Sequence, residues 1–589
     1  MPTLRTLVAA TCVALLPALS PANDLATLGE RSAYRQTGRY DETVALCEAF
    51  AQRHPDAVRC ETFGTTPEGR PMKLLVVSRS GALDPAAARA KQLPVVQFQA
   101  GIHAGEIDGK DAGFLALREV LDGDAARGAL DKVVVLFVPV FNVDGHERFG
   151  RWNRPNQNGP EAMGWRTTAQ NFNLNRDYVK VDAPEMQAML ALANRWEPIL
   201  TVDLHVTDGA KFEHDMSVQT EPLYAGDAGL RTAGKALTAD LLRTLTAQGS
   251  LPLAFYPSFV KSDDPMSGFA DSVSAARFST GYYWLRNRFG MLLETHSWKP
   301  YPVRVRITRN LIVDTLALAA RDGASWLRAA GAADAAASEL GGTPVALEYA
   351  PGDAVRTIAF RGYEYTRMPS EISGTLMTRY DDSKPQVWNV PMRDDMRPSL
   401  AIEAPRGGYV VPAAFADLVA RKLDAHAIAY RRLDVAGRAV PLQTFRATKT
   451  TFAAAPLESH QTLVLEGEWR EERRDVGAGA LFVPIAQPKS RLLMTLLEPR
   501  ARDSLAAWGF FNQAFEQKEY MEAYVAEDVA RVQLAADPAL REEFARKLDA
   551  DAAFAADPNA RLDFFYRRHS AYDERLNLYP VMRSERVLD

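Results

Sequence analysis

The chain has 589 residues with a formal net charge of −5, 47% hydrophobic and 24% charged residues. That length exceeds what one hydrophobic core usually serves, so roughly two or three folded units are expected, with ordinary globular composition. The mild negative charge, with no basic stripe and no interleaved aromatic run, excludes a polyanion partner such as nucleic acid.

The N-terminus reads as a secretory signal. Arg5 supplies the positive n-region, residues 7–19 are apolar apart from Thr11, and Ser20-Pro21-Ala22 offers small residues ahead of a cleavage point before Asn23. The apolar stretch falls short of the ~20 residues that a membrane span needs. Residues 1–22 are therefore assigned to the signal, with an exported mature protein, periplasmic or secreted, that keeps no stable membrane insertion. Two cysteines remain after it, Cys47 and Cys60. In an exported protein they either form one disulfide or stay as two buried thiols.

Residues 71–79 and 94–102 read as strands, separated by an Ala-rich charged stretch at 84–92, and residues 110–121 read as a helix. The all-apolar run 133–140 suits a strand buried on both faces. Residues 184–196 form a helix opened by Pro184 and Glu185, where a proline and an acidic group fit. A strand at 199–205 follows, then helices at 228–248 and 311–330. Strands alternating with helices predict an α/β fold, a mixed, mostly parallel open sheet with helices on both faces. The Ala/Gly-rich residues 329–342 mark a boundary. Short β-like runs such as 356–360 and 462–466 follow, interrupted by one helix at 413–425. Residues 504–568 turn helical and charged, with Trp508, Phe510, Phe511, Phe515, Tyr520 and Tyr524 packing a core or the neighbouring unit. The expected organisation is a catalytic region over 23–335, a β-rich accessory region over 343–485 and a mostly helical region over 486–589.

The chemistry concentrates in the first half. His103-Ala104-Gly105-Glu106 follows the predicted strand 94–102, and His205 closes the strand 199–205. Two histidines and a carboxylate are the donor set of a catalytic zinc site, because three protein ligands leave one tetrahedral position open. Met291-Leu292-Leu293-Glu294 is an apolar run ending in a carboxylate. Burial raises the pKa of such a group and suits it to general-base work. Ligands in open α/β sheets gather beyond the carboxyl ends of the strands, where His103, His205 and Glu294 all fall.

With Asn173-Leu174-Asn175-Arg176 between the two ligand segments, the motif order resembles the zinc carboxypeptidases of the carboxypeptidase A type, in an exported bacterial form. Residues 63–70 and the turn Asn142-Val143-Asp144-Gly145 resemble further family segments, so that the likeness spans about half the chain, roughly residues 63–301. The resemblance implies one Zn²⁺ per chain on His103, Glu106 and His205, with Glu294 as general base. It implies that Asn175 and Arg176 grip a terminal carboxylate, which a planar guanidinium binds through two parallel hydrogen bonds. It also implies an oxyanion-stabilising arginine about a dozen residues after the turn. Among Arg148, Arg151, Arg154 and Arg166, Arg154 is nearest that spacing and is preferred, with Arg166 as the second choice.

Two departures stand out. Asn173 occupies the place of the family's usual Asp, a partner for the first histidine. No tyrosine lies where the substrate-capping one belongs, near Ser272; Tyr282 and Tyr283 are preferred for the role, Tyr256 being farther away. By strand alternation His296 shares the face of Glu294 and is a candidate neighbour of the site. His214 is weaker, His146 is structural, and His54, His426, His460 and His569 serve surface or packing. Loops at 255–285, with Asp263, Asp264, Asp271 and Arg277, are expected to set side-chain preference, the acidic residues toward basic termini. The implied activity is a zinc metallocarboxypeptidase acting on peptides with a free C-terminal carboxylate. A zinc amidase or deacylase acting on cell-wall peptides is the alternative. A binding homologue without catalysis is disfavoured by the full ligand set plus Glu294.

Overall fold

A computed structural model describes residues 25–588; the signal read at residues 1–22 lies outside the described residues. Helix α1 (Tyr40–Arg53) precedes a hairpin of β1 (Val58–Thr65) and β2 (Pro71–Val77). A disulfide joins Cys47 on α1 to Cys60 on β1, with Cα atoms 5.4 Å apart. The two-thiol alternative is thereby removed, and the helix is stapled to the sheet edge.

The central strands are β3 (Val95–Ala100), β4 (Val134–Val138) and β5 (Leu200–Thr207), and every residue in all three is buried. The continuous apolar character of β4 follows from its being covered on both faces; β3 and β5 also bury polar residues, among them Gln97, Gln99 and Asp203. Helix α2 (Asp108–Asp122) covers one face. It lies close because Gly109 and Gly113 carry no side chain. A Cβ would come within 2.7 Å of Leu204 at the first and 2.1 Å of Phe137 at the second. Helix α3 (Pro184–Trp196) opens with its proline in the first turn, as expected. Then come β6 (Met216–Glu221), α4 (Ala228–Ala247), β7 (Pro252–Leu253), α5 (Ser279–Leu285), β8 (Phe289–His296) and α6 (Tyr301–Ala337).

The sheet order is β1-β2-β4-β3-β5-β8-β6-β7. The four central strands β4, β3, β5 and β8 run parallel, while β2 and β6 flank them antiparallel. This is the mixed, mostly parallel open sheet expected from the sequence.

Most of the stretch 329–342, read as a boundary, forms the last turns of α6. Alanine is the strongest helix former, so an Ala-rich run extends a helix. The turn waits for Gly342, at φ 74°.

Beyond it come a long antiparallel hairpin of Arg356–Pro369 with Leu376–Arg393 and a six-stranded sheet that includes Gly437–Phe452 and Leu463–Val476. Helices Ala523–Ala536, Pro538–Ala550, Ala552–Ala556 and Pro558–Tyr566 follow and enclose a small core around Leu540, Phe554 and Phe565. The two halves of the chain share their main apolar core, which runs from Leu25 and the central strands to Tyr409, Leu492, Trp508, Phe511 and Val581. Tyr520 and Tyr524 instead face solvent. No helix among the described residues is long and apolar enough to cross a membrane.

Glu221, at the end of β6, is buried and accepts the Leu223 N–H at 3.2 Å. Burial pushes its pKa up to about 8. The native state then binds more protons than the unfolded chain between the ordinary carboxylate range and pH 8, so stability falls as pH rises through that window. Glu221→Gln is expected to remove a slope of roughly 1 kcal/mol per pH unit between pH 5 and 8. Urea denaturation of both proteins across that range measures it, and parallel stability profiles would refute the assignment.

Candidate active site

β3 ends at Ala100, and Gly101, at φ 65°, turns the chain so that His103 and Glu106 come to lie beyond the strand's carboxyl end. His205 on β5 and Glu294 on β8 are direct partners in the parallel register. Glu106 lies between the histidines: its Oε1 is 3.0 Å from His103 Nδ1 and its Oε2 is 2.9 Å from His205 Nδ1. The Val206 N–H also donates to Glu106 Oε2 at 3.1 Å. All three side chains are buried, with ligand atoms within 4.8 Å of one another.

The far nitrogens decide what these atoms can hold. His103 Nε2 faces Asn173 Oδ1 at 3.1 Å, and His205 Nε2 faces Asp203 Oδ2 at 3.0 Å. An acceptor at Nε2 keeps the proton there and turns the Nδ1 lone pair inward. Two such lone pairs and a carboxylate converging in a buried space suit a cation, and nitrogen with oxygen donors suits zinc. Burial holds His103 neutral, its pKa lowered to about 4. Burial opposes charge on His205 too, but Asp203 and then Glu106 outweigh it and raise its pKa well above the usual value. Burial likewise opposes charge on Glu106, and His103 followed by Arg154 overcomes it.

A cavity of about 450 Å³ opens over this cluster, lined among others by Glu294, Arg166, Asn175, Arg176 and Tyr256. Burial is the main cause that brings the Glu294 pKa to about 8, with His205 acting against it and Glu106 adding to it. Glu294 Oε2 has no hydrogen-bond partner among the described residues. Arg176 stacks on the Phe278 ring at 4.4 Å and donates to the Asn175 carbonyl at 2.7 Å, and no ion pair engages it among the described residues. The Asn175 N–H bonds Asn173 Oδ1 at 3.1 Å, so one amide oxygen serves both this turn and His103.

Several expectations are corrected. Tyr282 and Tyr283 do not reach the cavity. Residues 279–285 form the short helix α5 rather than a loop, and both rings are buried beneath it, 0% and 1% exposed. The Tyr282 hydroxyl bonds His426 Nδ1 at 2.9 Å, and Tyr256 lines the cavity instead, its hydroxyl 3.1 Å from Thr207 Oγ1. Arg154, preferred on spacing, is buried against Glu106 Oε1 at 3.0 Å and Asp208 at 3.3 Å. It fits there because Gly105 has no Cβ, which would come within 2.6 Å of Arg154 Cγ. Arg166 is the arginine of the two that lines the cavity, 3.4 Å from Glu106.

Asp263 accepts from Thr378, Asp264 pairs with Arg367, and Asp271 accepts from Tyr224, so none of the loop aspartates faces the cavity. Arg277 pairs with Asp503 at 2.7 Å, and His296 packs on the Phe212 ring at 4.2 Å. His426, expected at the surface or in packing, is fully buried in a hydrogen-bonded core position.

Three contributors escaped the sequence reading. Asp203 was legible in principle, since it stands two residues before His205 on a strand and so shares its face. It accepts from Ser279 Oγ at 2.7 Å as well. Glu458, which accepts the Asn173 N–H at 3.0 Å, and Arg502, which lines the cavity, come from the distant second half. No local motif announces either of them.

Residues 43–247 match the family model described as zinc carboxypeptidase. The chain is 30% identical over 178 residues to the "Probable carboxypeptidase 2" of Arthroderma benhamiae, covering 29% of each chain. The protein of that name in Trichophyton verrucosum is also 30% identical over 178 residues, 29% of this chain and 30% of that one. The chain thus spans under a third of the length of these curated relatives. Among solved structures, a metallo-carboxypeptidase from Burkholderia cenocepacia aligns at 17% identity and TM-score 0.35, covering 48% of this chain and 69% of that one. The carboxypeptidase A of Helicoverpa armigera aligns at 18% and 0.33, covering 51% and 75%.

Proposed function

We propose, for a chain that carries a zinc carboxypeptidase domain over residues 43–247, that it is an exported metallopeptidase removing C-terminal residues from peptides. The observation that carries this reading is Arg176, a cation without an ion-pair partner among the described residues, in the same cavity as Glu294 and the three candidate metal ligands. A guanidinium left open beside a carboxylate base offers a terminal carboxylate two parallel hydrogen bonds.

His103, Glu106 and His205 would hold the zinc, which supplies polarisation of the scissile carbonyl and acidification of water when bound. The remaining steps fall to the chain's own groups. Arg176 takes the terminal carboxylate, with Phe278 fixing the guanidinium plane and Asn175 beside it. Arg166, which lines the cavity, stabilises the negative charge that develops on the carbonyl oxygen. Glu294 accepts the proton of the attacking water at its carboxylate and delivers it to the leaving nitrogen. Asp203 and Asn173 act through the histidines by fixing their tautomers. The terminal side chain meets Ala270, Ser272, Val273, Ser274 and Ala275, a neutral wall of small residues. A preference for basic termini therefore loses the aspartates it would have rested on.

The carboxylate grip is tested with one mutant and two substrates. Arg176→Ala should cost about 2–5 kcal/mol of transition-state binding, or ~30- to several-thousand-fold in kcat/KM, on a peptide with a free C-terminus. The same peptide amidated at its C-terminus should be poor for the wild type and little changed by the mutation. A folding defect would lower both rates together. Equal wild-type rates on acid and amide, with Arg176→Ala harmless, would reject the exopeptidase and leave the amidase or deacylase alternative.

A further inference from the structure

A second cavity, of about 340 Å³, lies at the seam between the two halves of the chain. Glu197, Arg286, Arg288 and Asp334 come from the first half, and Gln487 and Lys489 from the second. Arg286 and Arg288 directly precede β8, and Glu197 precedes β5. This cavity therefore sits at the amino ends of the strands whose carboxyl ends carry His205 and Glu294. It is a separate site.

Its charges are unbalanced. Arg288 is neutralised by Asp334 at 3.1 Å. Arg286 is only 5% exposed and has no ion-pair partner among the described residues. Its one side-chain hydrogen bond among the described residues runs into a chain whose direction is fixed by donor chemistry. His426 Nε2–H donates to the Val179 carbonyl at 3.0 Å, so His426 Nδ1 must accept. The Tyr282 hydroxyl donates to it at 2.9 Å, and Arg286 donates to the Tyr282 oxygen at 3.2 Å. Every partner in that chain is neutral, and burial keeps His426 so by lowering its pKa to about 3. The chain satisfies one N–H of Arg286, and only the face of the Tyr282 ring, 5.5 Å from the guanidinium carbon, offsets its charge.

Across the cavity Lys489 donates to the carbonyls of His426 and Ala427 at 3.0 and 3.1 Å, again neutral acceptors. Burial lowers its pKa to about 7, with Arg286 adding most to that effect and Glu197 opposing it. Of the acidic wall residues, Asp334 is bound to Arg288, and Glu197 is exposed at the mouth. A buried guanidinium and a mostly buried ammonium thus repel each other across a space large enough for a small molecule.

We propose that this cavity binds a small oxyanion, a carboxylate or a phosphate group, held between Arg286 and Lys489. An oxyanion there turns like-charge repulsion into charge-assisted hydrogen bonds on both sides. Arg286 supplies the planar donor pair, and Lys489 a point charge at the opposite wall.

The test is the thermal midpoint of the zinc-loaded protein against increasing inorganic phosphate, with sodium chloride adjusted to hold ionic strength constant, and a parallel series with acetate. Ligand that binds only the folded state raises the midpoint in proportion to the logarithm of its concentration once that exceeds Kd. The wild type should show such a rise. Lys489→Gln and Arg286→Gln should each move the onset of the rise to at least about ten-fold higher anion, the effect of losing ~1.4 kcal/mol of binding. Binding at the candidate active site contributes equally to all three proteins and cancels. An onset at lower phosphate than acetate assigns a phosphate ligand, and the reverse order a carboxylate. Unchanged zinc content and peptide cleavage in Lys489→Gln certify its fold, so that it decides alone if the buried arginine cannot be replaced. Superimposable midpoint shifts for wild type and Lys489→Gln, or no rise in the wild type with either anion, would overturn the proposal.

Discussion

His205→Ala is expected to abolish zinc retention and peptide cleavage together, and His103→Ala to do the same. Purified wild type should carry about one zinc per chain, removed by a chelator with loss of activity and restored by added metal. The expectation rests on geometry. His103 Nδ1, His205 Nδ1 and the Glu106 carboxylate converge within 4.8 Å, with both far nitrogens held by acceptor oxygens. Removing one of three ligands leaves two, too few for a site that keeps an open position. Asp203→Asn gives the graded version. It leaves the ligands in place but removes the charge behind His205, and should weaken metal affinity by ~10–100-fold. Metal analysis beside a cleavage assay reads both. Full activity after exhaustive chelation would sink the assignment.

The sequence announced the fold of the first half and the metal cluster because both rest on local signals. The all-apolar run 134–138 is what a doubly covered parallel strand requires, 95–100 and 200–207 are strands in which apolar residues still predominate or alternate with polar ones, and the ligands lie near or just beyond strand ends. The reading faltered where placement depends on distant chain. Spacing prefers Arg154 to Arg166, yet Arg154 packs against Gly105 and Glu106 while Arg166 lines the cavity. Tyr282 and Tyr283 were assigned by distance from Glu294 along the chain, yet α5 turns both into the core, and His426, 144 residues away, receives the Tyr282 hydroxyl. Glu458 reaches Asn173 across 285 residues. No periodicity or motif encodes contacts of that span; they exist because the two halves share one apolar core.

Glu294→Gln is expected to keep zinc and substrate binding while lowering kcat by ~10²–10⁴-fold, the range for losing general acid–base help. Two carboxylates share the candidate active site, and their surroundings push them apart. Glu106 is surrounded by His103, His205, the Val206 N–H and Arg154, which together hold it ionised against burial. Glu294 is equally buried but has an oxygen with no hydrogen-bond partner among the described residues, and its pKa rises to about 8. Such a split marks the first as a permanent anion and the second as a group that gains and loses a proton near neutrality. Glutamine preserves the shape of Glu294 and its place opposite His205 in the β5–β8 register, but it cannot accept the proton. The mutation should therefore leave KM and zinc content near wild type and fall on kcat alone. The paired control is Glu106→Gln, which removes a ligand and should lower zinc content as well as rate. Turnover by Glu294→Gln at close to the wild-type rate would place the base elsewhere, and loss of zinc from it would make Glu294 a ligand instead.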